Sequence, residues 1–253
     1  MPENLVEKQV RGFINMINNE EFDEYNVIKM DDGGLNPLDI SRLESVKNLL
    51  KNNKINIITG NNRAFSAGAN INNFVGMKDT EAFNLSMKGH EILDEIESFP
   101  MPVISVLNGY TLGGGLELAL STDFRIGGPK LKWGFPEVNL GILPGWGGTQ
   151  RLKKLSGRAN SEYIIMTGKT FNADDAVRYG IIAEISDNPM ERAIELAVDL
   201  YKKSREAIIN IKKLMMESSF YDESKYFAEL FNTKNAKMGI ESFLNKKTPK
   251  FNE

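Results

Sequence analysis

Apolar residues along this chain fall into short runs bounded by turn formers and into longer stretches at helical spacing, which is the pattern of an α/β protein. Near the start, apolar stretches at 13–17 and Tyr25–Met30 flank the polar Asn18-Asn19-Glu20-Glu21 and read as strands joined by a loop. Asn36 then reads as an N-cap with Pro37 at the first helical position, opening a helix with Leu38, Leu43, Val46, Leu49 and Leu50. Ile55–Thr59 predicts a buried strand, followed by a loop of small residues over 63–71 and a helix over 79–98. A second buried strand is predicted at Val103–Leu107, between Pro102 and Asn108. Short strands at 124–126 and 131–133 precede a glycine-rich region at 140–151. From 156 onward the pattern is mostly helical, with a helix start at 170–176, a brief strand at 181–185 and amphipathic helix from 189 to about 243. The expected organisation is a βα core over 1–199 and a helical segment over 200–253.

The stretch Asn108-Gly109-Tyr110-Thr111-Leu112-Gly113-Gly114-Gly115-Leu116-Glu117 reads as the exit of a strand, a glycine turn and the start of a helix. Three consecutive glycines remove side chains from the turn, so backbone N–H groups there are free to face a ligand closely. A tight turn that merely packs on the sheet is the plainer alternative. Glu117 changes the balance: it stands three residues past Gly114 on the same helical face, so a carboxylate and an N–H could address one small molecule.

Composition narrows the chemistry. With 253 residues, 41% hydrophobic and 26% charged, the chain suits a soluble globular protein, and its apolar runs are too short to span a membrane. No basic and then apolar leader opens it, so secretion is not expected and a cytoplasmic location is. There is no cysteine and a single histidine, His90, which excludes thiolate chemistry and disfavours a metal site. A net charge of −3 argues against nucleic acid as the main partner. From Leu200 onward the balance reverses, with 11 Lys and Arg against 7 Asp and Glu, suited to an anionic ligand or to solvated helix faces.

Several segments resemble the crotonase (enoyl-CoA hydratase/isomerase) superfamily, its enoyl-CoA hydratase branch in particular. They are Ala64-Phe65-Ser66-Ala67-Gly68-Ala69, the glycine stretch through Leu118, Phe135-Pro136-Glu137, and Pro144-Gly145-Trp146-Gly147-Gly148-Thr149-Gln150-Arg151, with further matches at 167–180 and 243–251. The resemblance implies a crotonase-like ββα spiral core with a C-terminal helical segment, assembled as homotrimers that often pair into hexamers. It implies hydration of an enoyl-CoA thioester to a 3-hydroxyacyl-CoA, with coenzyme A entering as part of the substrate and with neither a bound cofactor nor a metal. Oxyanion-hole N–H groups fall on Ala69 and Gly114, and catalytic glutamates on Glu117 and Glu137. Glu117 is assigned chiefly to activating water and Glu137 chiefly to protonating the α-carbon, both being able to hold the same water. Substrate contacts fall on Ala67, Asn70, Ile71, Trp146 and Lys247, the last reaching coenzyme A phosphates across a subunit boundary or simply solvated.

This chain departs from the family pattern in four places. Asn70 stands for an aspartate, Trp146 for a small residue, Asp31-Asp32-Gly33-Gly34-Leu35 for an Asn-Arg-Pro lead, and Met238 for a glutamate. They leave the acyl chain length open. Double-bond isomerase activity is one alternative, and an acyl-CoA- or RNA-binding scaffold without turnover is another. A serine hydrolase built on Ala64-Phe65-Ser66-Ala67-Gly68 would need His90, only 24 residues on; Ser66 reads better as a turn residue and His90 as solvent-facing.

Overall fold

A computed structural model of the chain describes residues 17–216 and 219–252. Its first sheet runs in the order β1 (Ile17–Glu21), β2 (Tyr25–Met30), β3 (Ile55–Thr59), β5 (Val103–Leu107), β7 (Phe124–Gly127), β9 (Glu184–Ile185); β1 pairs antiparallel and the others parallel. A second, parallel sheet holds β4 (Ala64–Ser66), β6 (Tyr110–Leu112) and β8 (Lys132–Gly134). The chain thus winds as a spiral, laying one strand in each sheet per turn and then a helix: β3, β4 and α2 (Asp79–Glu97); β5, β6 and α3 (Gly114–Leu120); β7, β8 and α4 (Gly148–Thr167). This is the ββα spiral that the resemblance implies.

The apolar runs explain how the first sheet is sandwiched. A strand buried on both faces reads as a continuous apolar run, because successive side chains point to opposite sides. Ile28, Ile58, Val103 and Leu107 face one core with α1 (Ile40–Asn48), α2 and α3. Val27, Ile57, Ile104 and Val106 face another, covered by Ala193 and Ala197 of α6 (Pro189–Tyr201). Beyond α5 (Ala173–Arg178) and α6, the helices α7 (Arg205–Met216), α8 (Phe220–Leu230) and α9 (Lys234–Leu244) contribute no buried residue, and Phe220, Phe227, Phe243 and Leu244 stand exposed. Among the described residues no helix is long and apolar enough to cross a membrane.

Four elements differ from the sequence expectation. Asn18–Glu21 belongs to β1 and is not the connecting loop, since strand pairing to the buried β2 outweighs polar composition at a sheet edge; residues 13–16 of that expectation lie outside the described residues. Asn36 does not cap a helix. It is fully buried at φ 52°, and its amide donates to the carbonyls of Met30, Ala64 and Phe65, tying β2 to β4. The cap of α1 is Asp39, whose carboxylate accepts from the Arg42 N–H at 2.8 Å. The loop expected at 63–71 contains β4, and the helix expected from 156 begins at Gly148 and is kinked at Gly157, which sits at φ 74°.

Candidate active site

The loop after β4 and the start of α3 meet at two glycines. Gly68 is at φ 105°, and a Cβ there would stand 3.0 Å from the Leu112 carbonyl oxygen and 3.6 Å from the Gly114 nitrogen. From the other side, a Cβ on Gly114 would stand 3.5 Å from the Ala69 nitrogen. The amides of Ala69 and Gly114 therefore lie side by side, as expected from the sequence. Neither donates to another group among the described residues. The backbone explains both. Leu38 donates to the Gly68 carbonyl at 2.8 Å and accepts from the Asn70 N–H at 2.9 Å, so this parallel bridge skips the N–H of Ala69. Gly114 opens α3, where an N–H has no carbonyl one turn back to meet.

Glu117, one helical turn past Gly114, is 2% exposed. Its Oε1 accepts the N–H groups of Trp146 at 2.7 Å and Gly148 at 2.8 Å, both from the second glycine-rich region. Burial pushes its carboxyl up to about 7; the Gly148 amide opposes this, the Glu137 charge adds to it, and the Trp146 amide and the Arg151 charge oppose it. Glu137, which opens a 3-10 turn at Glu137–Leu140 after Pro136, is also pushed up to about 7 by burial. Its Oε2 is buried without a hydrogen-bond partner. A Cβ on Gly113 would stand 2.5 Å from Glu137 Oε1 and 3.3 Å from its Cδ, which places this second carboxylate against the turn that leads into α3.

The remaining expected contacts divide. Trp146 joins the cluster: it is 4% exposed, with its ring against Gly114. Asn70 caps the 3-10 turn Ile71–Phe74 by accepting from the Asn72 N–H at 3.2 Å. Ala67 spends its N–H on the Leu35 carbonyl at 2.8 Å, and Ile71 is exposed beside the site. Lys247 is not brought to the cluster. It is exposed past the end of α9, with its backbone N–H on the Ser242 carbonyl and no described hydrogen bond or ion pair to these loops. Ser66 is buried and its Oγ accepts from the Gly68 N–H at 3.1 Å, a turn role. His90 is half-buried near Gly147 and does not simply face solvent. Among the described residues no three His, Asp or Glu side chains converge as metal ligands would.

Sequence reasoning missed the support behind Glu117. Arg151, 5% exposed in the first turn of α4, donates to the Trp146 carbonyl at 2.9 Å and pairs with Glu97 at 2.6 Å and with Asp94, both on α2. The motif contained Arg151, and the spacing of Asp94 and Glu97 on one helical face was its only signal.

Over most of its length the chain is similar to known proteins. A family model described as Enoyl-CoA hydratase/isomerase matches residues 27–253. The crotonyl-CoA hydratase of Syntrophomonas wolfei is 35% identical over 205 residues, covering 77% of this chain and 79% of that protein. The short-chain-enoyl-CoA hydratase of Clostridium acetobutylicum is 34% identical over 201 residues, 76% of this chain and 77% of that one. The crystal structure of an enoyl-CoA hydratase from Bacillus anthracis superposes with a TM-score of 0.86 at 28% identity, over 93% of this chain and 99% of that chain. With the match running through the paired amides and both carboxylates to the C-terminus, this chain belongs to the enoyl-CoA hydratase/isomerase family.

Proposed function

We propose that the protein adds water across the 2,3 double bond of an enoyl-CoA thioester, giving a 3-hydroxyacyl-CoA. The observation that carries this reading is the pair of unpartnered amides, Ala69 and Gly114, beside two carboxyl groups of raised pKa, the buried Glu117 and the half-buried Glu137. Hydration places negative charge on the thioester oxygen as the enolate forms. Two preorganised N–H donors stabilise that charge most where it develops, and a single such donor is worth about 3–4 kcal/mol in other enzymes.

The carboxylates divide the proton transfers. Two N–H donors on Glu117 Oε1 favour its ionised form, which suits a base. Water loses a proton to Glu117 while its oxygen bonds to the β-carbon, and the electrons of the double bond move through the α-carbon to the thioester oxygen. Glu137, with a buried oxygen lacking a donor, is the better acid. It gives its proton to the α-carbon as the enolate collapses. Glu117 then holds a proton and Glu137 a charge, and one proton exchange through solvent restores the pair.

The exposed apolar residues of α7–α9 favour assembly of copies, as in the homotrimer or hexamer implied by the resemblance. In such an assembly a partner's Lys247 is available to coenzyme A phosphates. Incubation with crotonyl-CoA in 18O-labelled water tests the reaction. One labelled hydroxyl oxygen in 3-hydroxybutyryl-CoA is expected, and unchanged or merely isomerised thioester would contradict it.

A further inference from the structure

The direction of the Ala69 N–H is set by a turn far from it in sequence. The Leu38 N–H donates to the Gly68 carbonyl at 2.8 Å, and the Leu38 carbonyl accepts from the Asn70 N–H at 2.9 Å. These two bonds grip the peptide units on either side of Ala69. The Gly68 C=O and the Ala69 N–H belong to one planar trans peptide and point in opposite directions. Holding that carbonyl on Leu38 therefore turns the N–H away from Leu38. The Ala67 N–H, on the Leu35 carbonyl at 2.8 Å, adds a third bond to the same segment.

Leu38 is placed in turn by Asn36. This residue is fully buried at φ 52°, a conformation that asparagine tolerates better than most side chains. Its Nδ2 donates to the carbonyls of Met30 at 3.0 Å, Ala64 at 3.0 Å and Phe65 at 3.2 Å. Its Oδ1 accepts the Asp32 N–H at 3.0 Å, and its own N–H donates to Asp32 Oδ1 at 3.1 Å. Ala64 and Phe65 lie in β4, at the root of the loop that carries Ala69. The amide thus fastens segment 35–38 to one end of that loop while Leu38 holds the other, and Pro37 between them leaves little slack.

We propose that Asn36 is a positioning residue for the oxyanion hole, aiming the Ala69 N–H at the thioester oxygen through Leu38 and Gly68; this rests on the reading above of Ala69 as one of the two donors. A side-chain amide supplies both the donors for the β2 and β4 carbonyls and the acceptor for Asp32, which a carboxylate cannot. An oxyanion donor stabilises charge best when it is already aimed and need not reorganise. Without the amide, segment 35–38 is free to shift and the peptide between Gly68 and Ala69 to rotate. A misplacement of about 1 Å is worth about 100-fold in rate.

The test uses butyryl-CoA labelled with 13C at the thioester carbonyl, a saturated thioester that cannot take up water. Binding to wild type should lower its carbonyl stretching frequency in infrared difference spectra. Asn36→Gly accepts φ 52° without steric cost and removes only the amide. It should lose much of that lowering, and its kcat on crotonyl-CoA should fall by about 10- to 100-fold with KM nearly unchanged. Asn56→Ala is the control: its amide is equally buried and donates to the Lys51 and Lys54 carbonyls at the far end of β3, so the variant should lose stability and keep both the band and kcat. If Asn36→Gly does not fold, Asp32→Ala, which frees the Asn36 N–H, takes its place and should move both readouts in the same direction. A folded variant with the wild-type band and kcat, or a control that moves the band as far, overturns this inference alone. A lowered band in wild type that the variant loses, without hydration by either, overturns the hydratase reading and supports the inference. No lowering in wild type overturns the inference whether or not hydration occurs.

Discussion

The carboxylate of Glu137 reaches the backbone of Gly113 so closely that a Cβ on Gly113 would stand 2.5 Å from Oε1. Gly113 is also at φ 49° and ψ −125°, a conformation that favours glycine. This residue therefore lets the chain turn into α3 and leaves room for the second acid. Gly113→Ala should displace the Glu137 carboxylate, the more mobile of the two colliding groups. A loss of about 10- to 1000-fold in kcat on crotonyl-CoA is expected, with a stability cost of about 1–3 kcal/mol from the strained backbone, read by urea unfolding.

The two raised carboxyls predict how the rate depends on pH. On the proposed division Glu117 acts ionised and Glu137 protonated, and both are pushed up to about 7. The profile of kcat/KM should be bell-shaped with its maximum near neutrality. It falls at low pH as Glu117 takes a proton and at high pH as Glu137 loses one. A rate that is flat from about pH 5 to about pH 9 would contradict this division.

Holding Glu117 in the fold has a stability consequence with a definite sign. Its folded pKa, about 7, lies above the ordinary 4.5, so between those values the folded state binds more protons than the unfolded one. Unfolding free energy then declines as pH rises through that window, and the whole cost is present above about pH 7. Glu117→Gln should remove the Glu117 share of this decline, Glu137 keeping its own, and raise stability above neutral pH by up to about 3 kcal/mol, visible as a higher Tm at pH 8 than wild type.

Arg151 links the α2 carboxylates to the loop that grips Glu117. Arg151→Met should leave the Trp146 carbonyl without its donor and Glu97 without its partner, at about 1–3 kcal/mol, the exposed Asp94 contributing little. It should also move the acid limb of the pH profile upward, because the guanidinium charge opposes protonation of Glu117. A stability loss with an unmoved acid limb would mean that Arg151 is structural only.

Much of this was legible in the sequence because local signals and tertiary demands agree there. Ile55–Thr59 and Val103–Leu107 are β-branched runs buried on both faces, and they form strands as the pattern predicts. Gly113, Gly114 and Glu117 carry their geometry within a single turn of chain. Elements set by distant partners were harder to read. The Asn36-Pro37 pair looks like a helix start, yet the Asn36 amide is captured by carbonyls of Met30, Ala64 and Phe65, the last two nearly thirty residues away. β4 and β6 are only three residues long and exist through pairing with each other and, for β6, with β8, which no local propensity reports. At the site, the residues on the motifs were readable. The grip of Trp146 and Gly148 on Glu117 was not, since it joins positions 29 and 31 residues apart.

The central claim is that Glu117 and Glu137 act together on one enoyl thioester. Its most direct measurement is the loss of conjugated-thioester absorbance of crotonyl-CoA with wild type, Glu117→Gln and Glu137→Gln at neutral pH. Wild type should consume the substrate, and each variant should lose about 100-fold or more in kcat while keeping its fold. Full activity in either variant, or an inert wild type across enoyl chain lengths, would contradict the account.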